Sequence, residues 1–182
     1  MAADIGLAIL VTFGLLLFSM MFIARRGVMK TTPPPCTEFP PVTILKPLKG
    51  VDPGLEENLR SIFRLDYPSI EVILGSPDPG DPALEIARRV AAEHPAIPSR
   101  VIVNEQATCS NPKVNLMVGL ARHATHELQL ISDSNILAPP GYLRDLVSRI
   151  QQSDVGLVSS LFRGTRGGGF GGALESLQLN TY

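Results

Sequence analysis

The first part of the chain is an unbroken apolar stretch. Ile5 to Ala24 is a run of 20 residues without one ionisable side chain. As a helix rising about 1.5 Å per residue, it would span about 30 Å, the hydrocarbon thickness of a bilayer. Its polar members, Thr12 and Ser19, can donate hydrogen bonds back to helix carbonyls. We therefore predict that residues 1–24 form a transmembrane anchor.

The charges that flank this stretch predict its orientation. Arg25, Arg26 and Lys30 follow it, whereas only Asp4 and the terminal amine precede it. Positive charge concentrates on the cytoplasmic side of membrane spans, so the rest of the chain is expected in the cytoplasm. The alternatives are a cleaved signal peptide, with a mature start near Arg25, and a buried core helix. Signal peptides carry their basic residues before a shorter apolar run, which favours the anchor.

A basic and proline-rich linker follows at residues 25–41, with prolines at 33, 34, 35, 40 and 41. Such a segment is extended and poor in hydrogen-bond donors, so it is expected to act as a semi-rigid spacer. Cys36 lies in it and Cys109 in a later loop. In the cytoplasm both would be free thiols.

From residue 42 onwards, short apolar runs alternate with segments of helical periodicity. The pattern predicts strands at Val42–Leu45, Ile70–Leu74, Arg100–Val103, Leu128–Ser132 and Val155–Leu161, and helices around Leu55–Phe63, Pro82–His94, Lys113–Ala124 and Tyr142–Gln151. This alternation is typical of an α/β fold with a mostly parallel sheet. Ligands bind beyond the carboxyl ends of such strands, which directs attention to the loops 46–52, 76–81, 104–115 and 133–139.

Composition narrows the function classes. The 182 residues are 45% apolar and 18% charged, with a net charge of -1. Soluble domains average about 25% charged residues, and the apolar excess here lies largely in the first 24 positions. A near-neutral chain is not typical of electrostatically driven nucleic-acid binding, and 2 cysteines exclude a disulfide-rich scaffold.

Two strand ends carry acidic side chains suited to a ligand. Asp78 follows the second strand and could accept a hydrogen bond from a base or ribose, although an ordinary turn is the alternative. Asp133-Ser134-Asn135 follows the fourth strand. Oxygen ligands at i and i+2 point the same way from extended backbone and suit a hard divalent cation. A turn or helix cap is the alternative there.

A third candidate opens a helix. Asn111-Pro112-Lys113 precedes the periodic segment, and a helix N-terminus with a lysine favours an anion. The alternative is a capped surface helix with a solvated lysine.

Two other motif matches are discounted. The glycines of Gly167–Gly172 fit the G-x-G-x-x-G dinucleotide motif, but so glycine-rich a run fits many motifs, and it is interpreted as a mobile loop over a substrate. His123 and His126 lack the H-E-x-x-H spacing of a zinc site.

Four segments together resemble a known family. Val42 to Asp52 (VTILKPLKGVD), Leu65 to Pro68 (LDYP), Asn111 to Asn115 (NPKVN) and Asp133 to Asn135 (DSN) are similar, in order and spacing, to ceramide glucosyltransferases and their bacterial, hopanoid-type relatives. The resemblance implies a GT-A-type, Rossmann-like fold. It makes residues 42–182 the N-terminal, nucleotide-sugar-binding part of an incomplete glycosyltransferase domain.

The same resemblance implies roles for individual residues. The donor-binding set is Lys46, Pro47, Lys49, Asp78, Lys113, Asn115 and Asp133. Asp133, with Asn135 as a weaker neutral ligand, would hold Mg²⁺ or Mn²⁺. The catalytic base and the Q/R-x-x-R-W acceptor motif are expected after Tyr182.

The function implied is inverting transfer of glucose or N-acetylglucosamine from a UDP-sugar to a membrane lipid hydroxyl. The acceptor is expected to be ceramide-like or a hopanoid. The Ala-, Arg- and Pro-rich composition suits a bacterial inner-membrane protein, which favours a hopanoid or another bacterial lipid over ceramide. The alternative is a truncated, non-catalytic nucleotide-binding module of the same fold.

Overall fold

A computed structural model of the chain describes residues 2–29, 32–106, 108–164, 169 and 171–172. The elements are α1 (Ala2–Met29), β1 (Val42–Pro47), α2 (Leu55–Phe63), β2 (Ile70–Ser76), α3 (Pro82–Ala92), β3 (Ser99–Val103), α4 (Pro112–Ala121), β4 (Leu128–Ile131) and α5 (Tyr142–Ile150). The chain divides into two units, one of Met1–Pro34 with Ser159–Tyr182 and the other of Pro35–Val158.

The helix α1 contains the predicted anchor. Its segment Ile5–Ala24 has a mean hydropathy of 2.6, and its side chains are exposed. Thr12 Oγ1 donates to the carbonyl of Ala8 and Ser19 Oγ to that of Leu15, each at 2.8 Å. Each hydroxyl thus finds a partner within its own helix, as expected. The helix is long and apolar enough to cross a membrane.

The second unit is built on a four-stranded parallel sheet in the order β3-β2-β1-β4. The chain builds outwards from β1 to β2 and β3 and then crosses back, so that β4 pairs with the other side of β1. The strand order therefore reverses between β1 and β4. In open α/β sheets, the carboxyl ends of the strands at such a reversal form the usual ligand crevice. The predicted α/β class is confirmed.

Helices cover both faces of the sheet, which is why the strands β1 and β2 are buried throughout. On one face, residues such as Ile44 and Val72 pack with apolar side chains of α2, α3 and α5. On the other face, Leu45 and Ile73 pack with Leu116 and Leu120 of α4. The helix α4 is thereby fixed against the central strands, and its first turn lies at their carboxyl ends.

The predicted fifth strand is wrong. Residues 155–161 form neither helix nor strand. Gly156, Leu157 and Val158 line a groove with β4 and α5, but they form no ladder with β4. A short apolar run becomes a strand only where a neighbour pairs with its backbone. Most of Gly167–Gly172 and the helical start predicted after it lie outside the described residues.

Helix ends also differ slightly from the predictions. The helix α4 ends at Ala121 rather than Ala124. The amides of His123 and Ala124 bond the carbonyls three residues earlier, so the backbone tightens into turns there.

The C-terminal end of the proline-rich spacer, next to β1, is packed against the domain. Tyr67 Oη donates to the carbonyl of Pro40 at 2.6 Å, and its ring meets Phe39 edge-on with centroids 5.8 Å apart. The guanidinium of Arg144 lies 4.4 Å above the same Phe39 ring. Cys36 donates to Gln151 Oε1, and neither it nor Cys109 forms a disulfide. The part of the spacer next to β1 is therefore packed on the domain.

Candidate functional site

A lysine and an aspartate meet at the sheet reversal. Lys113 stands in the first turn of α4, and Asp133 follows β4. Lys113 Nζ lies 2.7 Å from Asp133 Oδ1, and about half of each side chain is exposed. Two residues that the sequence singled out separately therefore form one accessible ion pair. It lies where a ligand is expected.

Lys46 lies beneath this pair. The residue has no exposed surface, and its Nζ donates to Ser132 Oγ at 3.1 Å and to the carbonyl of Ile136 at 3.3 Å. Burial lowers the pKa of Lys46 to about 8, although the charge of Asp133 acts to raise it. The structure thus places the ammonium group under the loop that carries Asp133, and not on its surface.

The loop of residues 132–136 has further supports. Asn58 Nδ2 in α2 donates to the carbonyl of Ser134, and Ser134 Oγ donates to Asp52 Oδ2, both at 3.2 Å. The amide of Ile136 closes a turn on the carbonyl of Asp133. Sequence reasoning missed the role of Asn58, for which no local signal exists, and singled out Asp52 as the last residue of the candidate loop 46–52 and of the VTILKPLKGVD segment.

The oxygen atoms offered by this loop suit a hard divalent cation. Asp133 supplies one carboxylate, and Asn135, which is exposed, supplies an amide oxygen. Within the described residues, no group of three or more His, Cys, Asp and Glu side chains could hold a metal. Mg²⁺ binds through one or two protein oxygens while keeping waters and phosphates as its other ligands. The donor set therefore fits a metal that is shared with a phosphate ligand.

Asn115 shapes the loop before α4. Its Oδ1 accepts from the amide of Thr108 at 2.9 Å, from Thr108 Oγ1 at 3.1 Å and from the amide of Cys109 at 2.8 Å. Its Nδ2 donates to the carbonyl of Cys109 at 2.8 Å. The side-chain amide of Asn115 is thus fully engaged by residues 108 and 109. Asn115 therefore supports the loop before α4, two residues from Lys113.

The first turn of α4 is capped as the sequence suggests. Asn111 Oδ1 accepts from the amides of Lys113 and Val114 at 3.0 and 3.3 Å, and Pro112 occupies the first helical position. The cap fixes the backbone from which the Lys113 side chain projects.

The remaining candidates lie at the ends of β1 and β2. Pro47 is buried at the end of β1, while Lys49 and Asp78 are exposed in the loops after β1 and β2. Asp78 Oδ1 accepts from the amide of Gly80 at 2.8 Å in a tight turn. Its outer surface remains accessible.

A second aspartate in this region is structural. Asp81 is buried and accepts from Ser76 Oγ at 2.7 Å, from the amide of Gly50 and from the amide of Ala83. Burial acts to raise its pKa, but these hydrogen bonds outweigh it and hold the pKa below its usual range. Asp81 therefore joins the loop after β1 to the start of α3. The one local signal for this role is the position of Asp81 directly before Pro82.

The known proteins that this chain resembles are glycosyltransferases. The family described as Glycosyl transferase family 21 matches residues 6–182. The chain is 29% identical to ceramide glucosyltransferase 1 of Caenorhabditis elegans over 158 residues, 82% of this chain and 34% of that protein. It is 33% identical to the ceramide glucosyltransferase of Komagataella phaffii over 129 residues, 68% of this chain and 25% of that one. The chain thus spans about a third or less of these relatives' length.

A solved structure shares the architecture. The mannosyltransferase PcManGT from Pyrobaculum calidifontis, solved in complex with GDP-Man and Mn²⁺, matches with a TM-score of 0.67 and 28% identity. The match covers 84% of this chain and 44% of the mannosyltransferase. That likeness supports a GT-A arrangement of the described sheet and helices.

Proposed function

The chain belongs to glycosyl transferase family 21, and on that premise we propose that the protein is a membrane-anchored inverting glycosyltransferase. It moves glucose or N-acetylglucosamine from a UDP-sugar to the hydroxyl of a membrane lipid, either ceramide-like or a hopanoid. The observation that carries the proposal is the Lys113–Asp133 pair at the sheet reversal. A cation and a carboxylate at this position are suited to a metal-bound diphosphate.

The donor diphosphate occupies the crevice between α4 and the loop after β4. Asp133 and Asn135 would hold Mg²⁺ or Mn²⁺, which supplies charge neutralisation of the diphosphate when bound. The mannosyltransferase solved in complex with GDP-Man and Mn²⁺ supports the choice of a divalent metal as the cofactor. Asp78 and Lys49, both exposed, contact the nucleoside side of the donor, and Pro47 shapes the end of the pocket. Lys46 and Asn115 contribute indirectly. Lys46 holds the loop of residues 132–136, and Asn115 holds the loop before α4.

Lys113 acts on the leaving group. In a single displacement, the acceptor oxygen bonds to the anomeric carbon as the bond from that carbon to the diphosphate breaks. The proton of the acceptor goes to a general base, which we expect in residues beyond Tyr182. The ammonium of Lys113 stabilises negative charge as it grows on the diphosphate. The described residues thus provide the donor half of the reaction.

The N-terminal helix sets where the reaction takes place. The apolar segment Ile5–Ala24 anchors the protein, and Arg25, Arg26 and Lys30 keep the following domain on the cytoplasmic side. This location, the bacterial inner membrane, gives the enzyme both a soluble nucleotide-sugar and a lipid acceptor.

The proposal is tested with full-length protein in detergent. UDP-glucose and UDP-N-acetylglucosamine are each offered with ceramide, diacylglycerol and a hopanoid, and glycolipid formation is measured with and without Mn²⁺. We expect transfer that Asp133→Ala abolishes and that Asp145→Ala, an exposed aspartate in α5, leaves intact. Absence of transfer to any lipid, together with retained UDP binding, would establish the non-catalytic alternative.

A further inference from the structure

We propose that Lys46 is a positioning residue, which holds the loop of residues 132–136 so that Asp133 faces the donor. The inference rests on the proposed function and assigns Lys46 a part in it other than direct contact with the donor. It follows from the two bonds of its buried ammonium group, to Ser132 Oγ and to the carbonyl of Ile136.

The two bonds bracket the loop. The β1–β4 ladder ends where the amide of Ser132 donates to the carbonyl of Leu45 at 3.0 Å. Beyond that point the backbone leaves the sheet and has no ladder partner. Lys46, the next residue of β1, holds the loop at its first residue and again four residues later. Asp133 and Asn135 lie between the two attachment points, so this one side chain constrains the positions of both.

The surroundings explain why such a tether is needed. Among the described residues, β4 has four residues and pairs only with β1. A short edge strand gives little support to the loop that follows it. Asn58 and Asp52 both bond Ser134 in the middle of the loop, and Lys113 pairs with the half-exposed carboxylate of Asp133. Among the side chains of the described residues, Lys46 alone bonds both the first and the last residue of the loop.

The choice of residue also indicates a function beyond packing. Lys46 stands in a strand that is buried throughout, and its side chain is completely buried. A buried ammonium carries a desolvation cost that an apolar side chain of similar length would avoid. With no exposed surface, Nζ meets a donor only if the loop moves away. The contacts therefore favour a role that is exerted through the loop.

The experiment compares Lys46→Met with Glu71→Gln in full-length protein in detergent. Glu71 is the matched control, because it is also a buried charge in the sheet that binds a loop, through the amide and hydroxyl of Thr125. Its bonds lie near the amino ends of the strands, whereas Lys46 lies near the carboxyl ends. The readouts are backbone hydrogen exchange across residues 132–136, Mn²⁺-dependent UDP binding by calorimetry, and the kcat and KM for the UDP-sugar.

For Lys46→Met we expect about tenfold faster exchange in the loop and about tenfold weaker Mn²⁺-dependent UDP binding, as for other residues that orient a metal ligand. The KM should rise more than kcat falls, and excess Mn²⁺ should recover part of the loss. Glu71→Gln should leave the loop exchange and the UDP binding unchanged. Ser132→Ala, which removes only one acceptor of Lys46, should shift both readouts in the same direction by less, and replaces Lys46→Met if that variant fails to fold.

Each result decides the proposal. Unchanged exchange and binding in Lys46→Met would overturn it. Weaker binding with unchanged loop exchange would also overturn it, since Lys46 would then act on the donor itself. If the unmodified protein binds no UDP with Mn²⁺, the proposed function fails, and the exchange measurement alone still tells whether Lys46 holds the loop.

Discussion

The ammonium nitrogen of Lys113 lies 2.7 Å from Oδ1 of Asp133, although one residue opens α4 and the other follows β4. The contact joins the lysine that we propose for the diphosphate to the aspartate that we propose for the metal. Since both side chains are half exposed, the pair is worth about 1 kcal/mol at most, and a metal–diphosphate complex can replace it. A metal bound as we propose would therefore compete with Lys113 for the carboxylate of Asp133.

This competition predicts opposite effects of Lys113→Met on two ligands. Mn²⁺ alone should bind roughly fivefold more tightly, because Asp133 is released from its partner. Binding of UDP with Mn²⁺ should weaken, because the diphosphate loses a cation. Both affinities are measurable by calorimetry. Arg122→Met, which removes the same charge from the other end of α4, should change neither, and weaker binding of Mn²⁺ alone in Lys113→Met would contradict the competition.

The neutral side chain at position 135 predicts a gain of metal affinity on substitution. Asn135→Asp adds a carboxylate two residues from Asp133 and should tighten Mn²⁺ binding by on the order of tenfold, because charged oxygen ligands bind hard cations more strongly. Gln129→Glu adds the same charge to an exposed position of β4 and serves as the control. Equal effects of the two substitutions, in a Mn²⁺ titration, would show that only net charge matters and that Asn135 is not a ligand.

The bonds of Asn115 predict a local loss of order in Asn115→Ala. The amides of Thr108 and Cys109 lose the acceptor Oδ1, so their hydrogen exchange should accelerate by about tenfold or more. Asn111→Ala is the comparison, because it removes the acceptor of the Lys113 and Val114 amides instead. Exchange that changes at the same amides in both variants would show that the loop and the helix start unfold as one unit.

The burial of Lys46 predicts a rise of stability with pH. Its pKa falls from 10.5 to about 8 on folding, so between these values the unfolded chain binds more protons than the folded protein. The free energy of unfolding should therefore increase through that window, relative to Lys46→Met, by about 3 kcal/mol at most. Below pH 8 the difference between the two proteins should be constant.

Denaturation of both proteins from pH 7 to 10.5 measures this difference. Lys46→Arg, whose guanidinium does not lose its proton in this range, should show no such rise. A difference between the unmodified protein and Lys46→Met that stays flat across the window would contradict the buried, titrating lysine.

Local signals in the sequence were sufficient for most of the elements. Apolar periodicity predicted the four strands of the sheet and all of the helices α2–α5, and Asn111-Pro112 correctly placed the start of α4. Each of these features depends on side chains within one or two turns, or on alternation within one segment. The run at residues 155–161 was predicted wrongly for the same reason, because its pattern suits a strand and only a pairing partner would make it one.

The general location of the site also followed from the sequence. An alternation of strands and helices implies a parallel sheet, and a parallel sheet collects its loops at one edge. Lys113 and Asp133 could thus be chosen as candidates before their 2.7 Å contact was known. That the two side chains are in contact depends on the crossover that brings β4 beside β1.

The sequence by itself determined the long apolar helix, the α/β class and the residue types at the strand ends, because these follow from composition and short-range periodicity. Only the tertiary structure decided that Lys46 lies under the loop, that Asn115 is bound to its own loop, and that Asp81, not Asp78, is the buried aspartate. These roles depend on which segments become neighbours. Which segments become neighbours is decided when the whole sheet is buried between its helices. The pattern of any single segment is not sufficient to predict it.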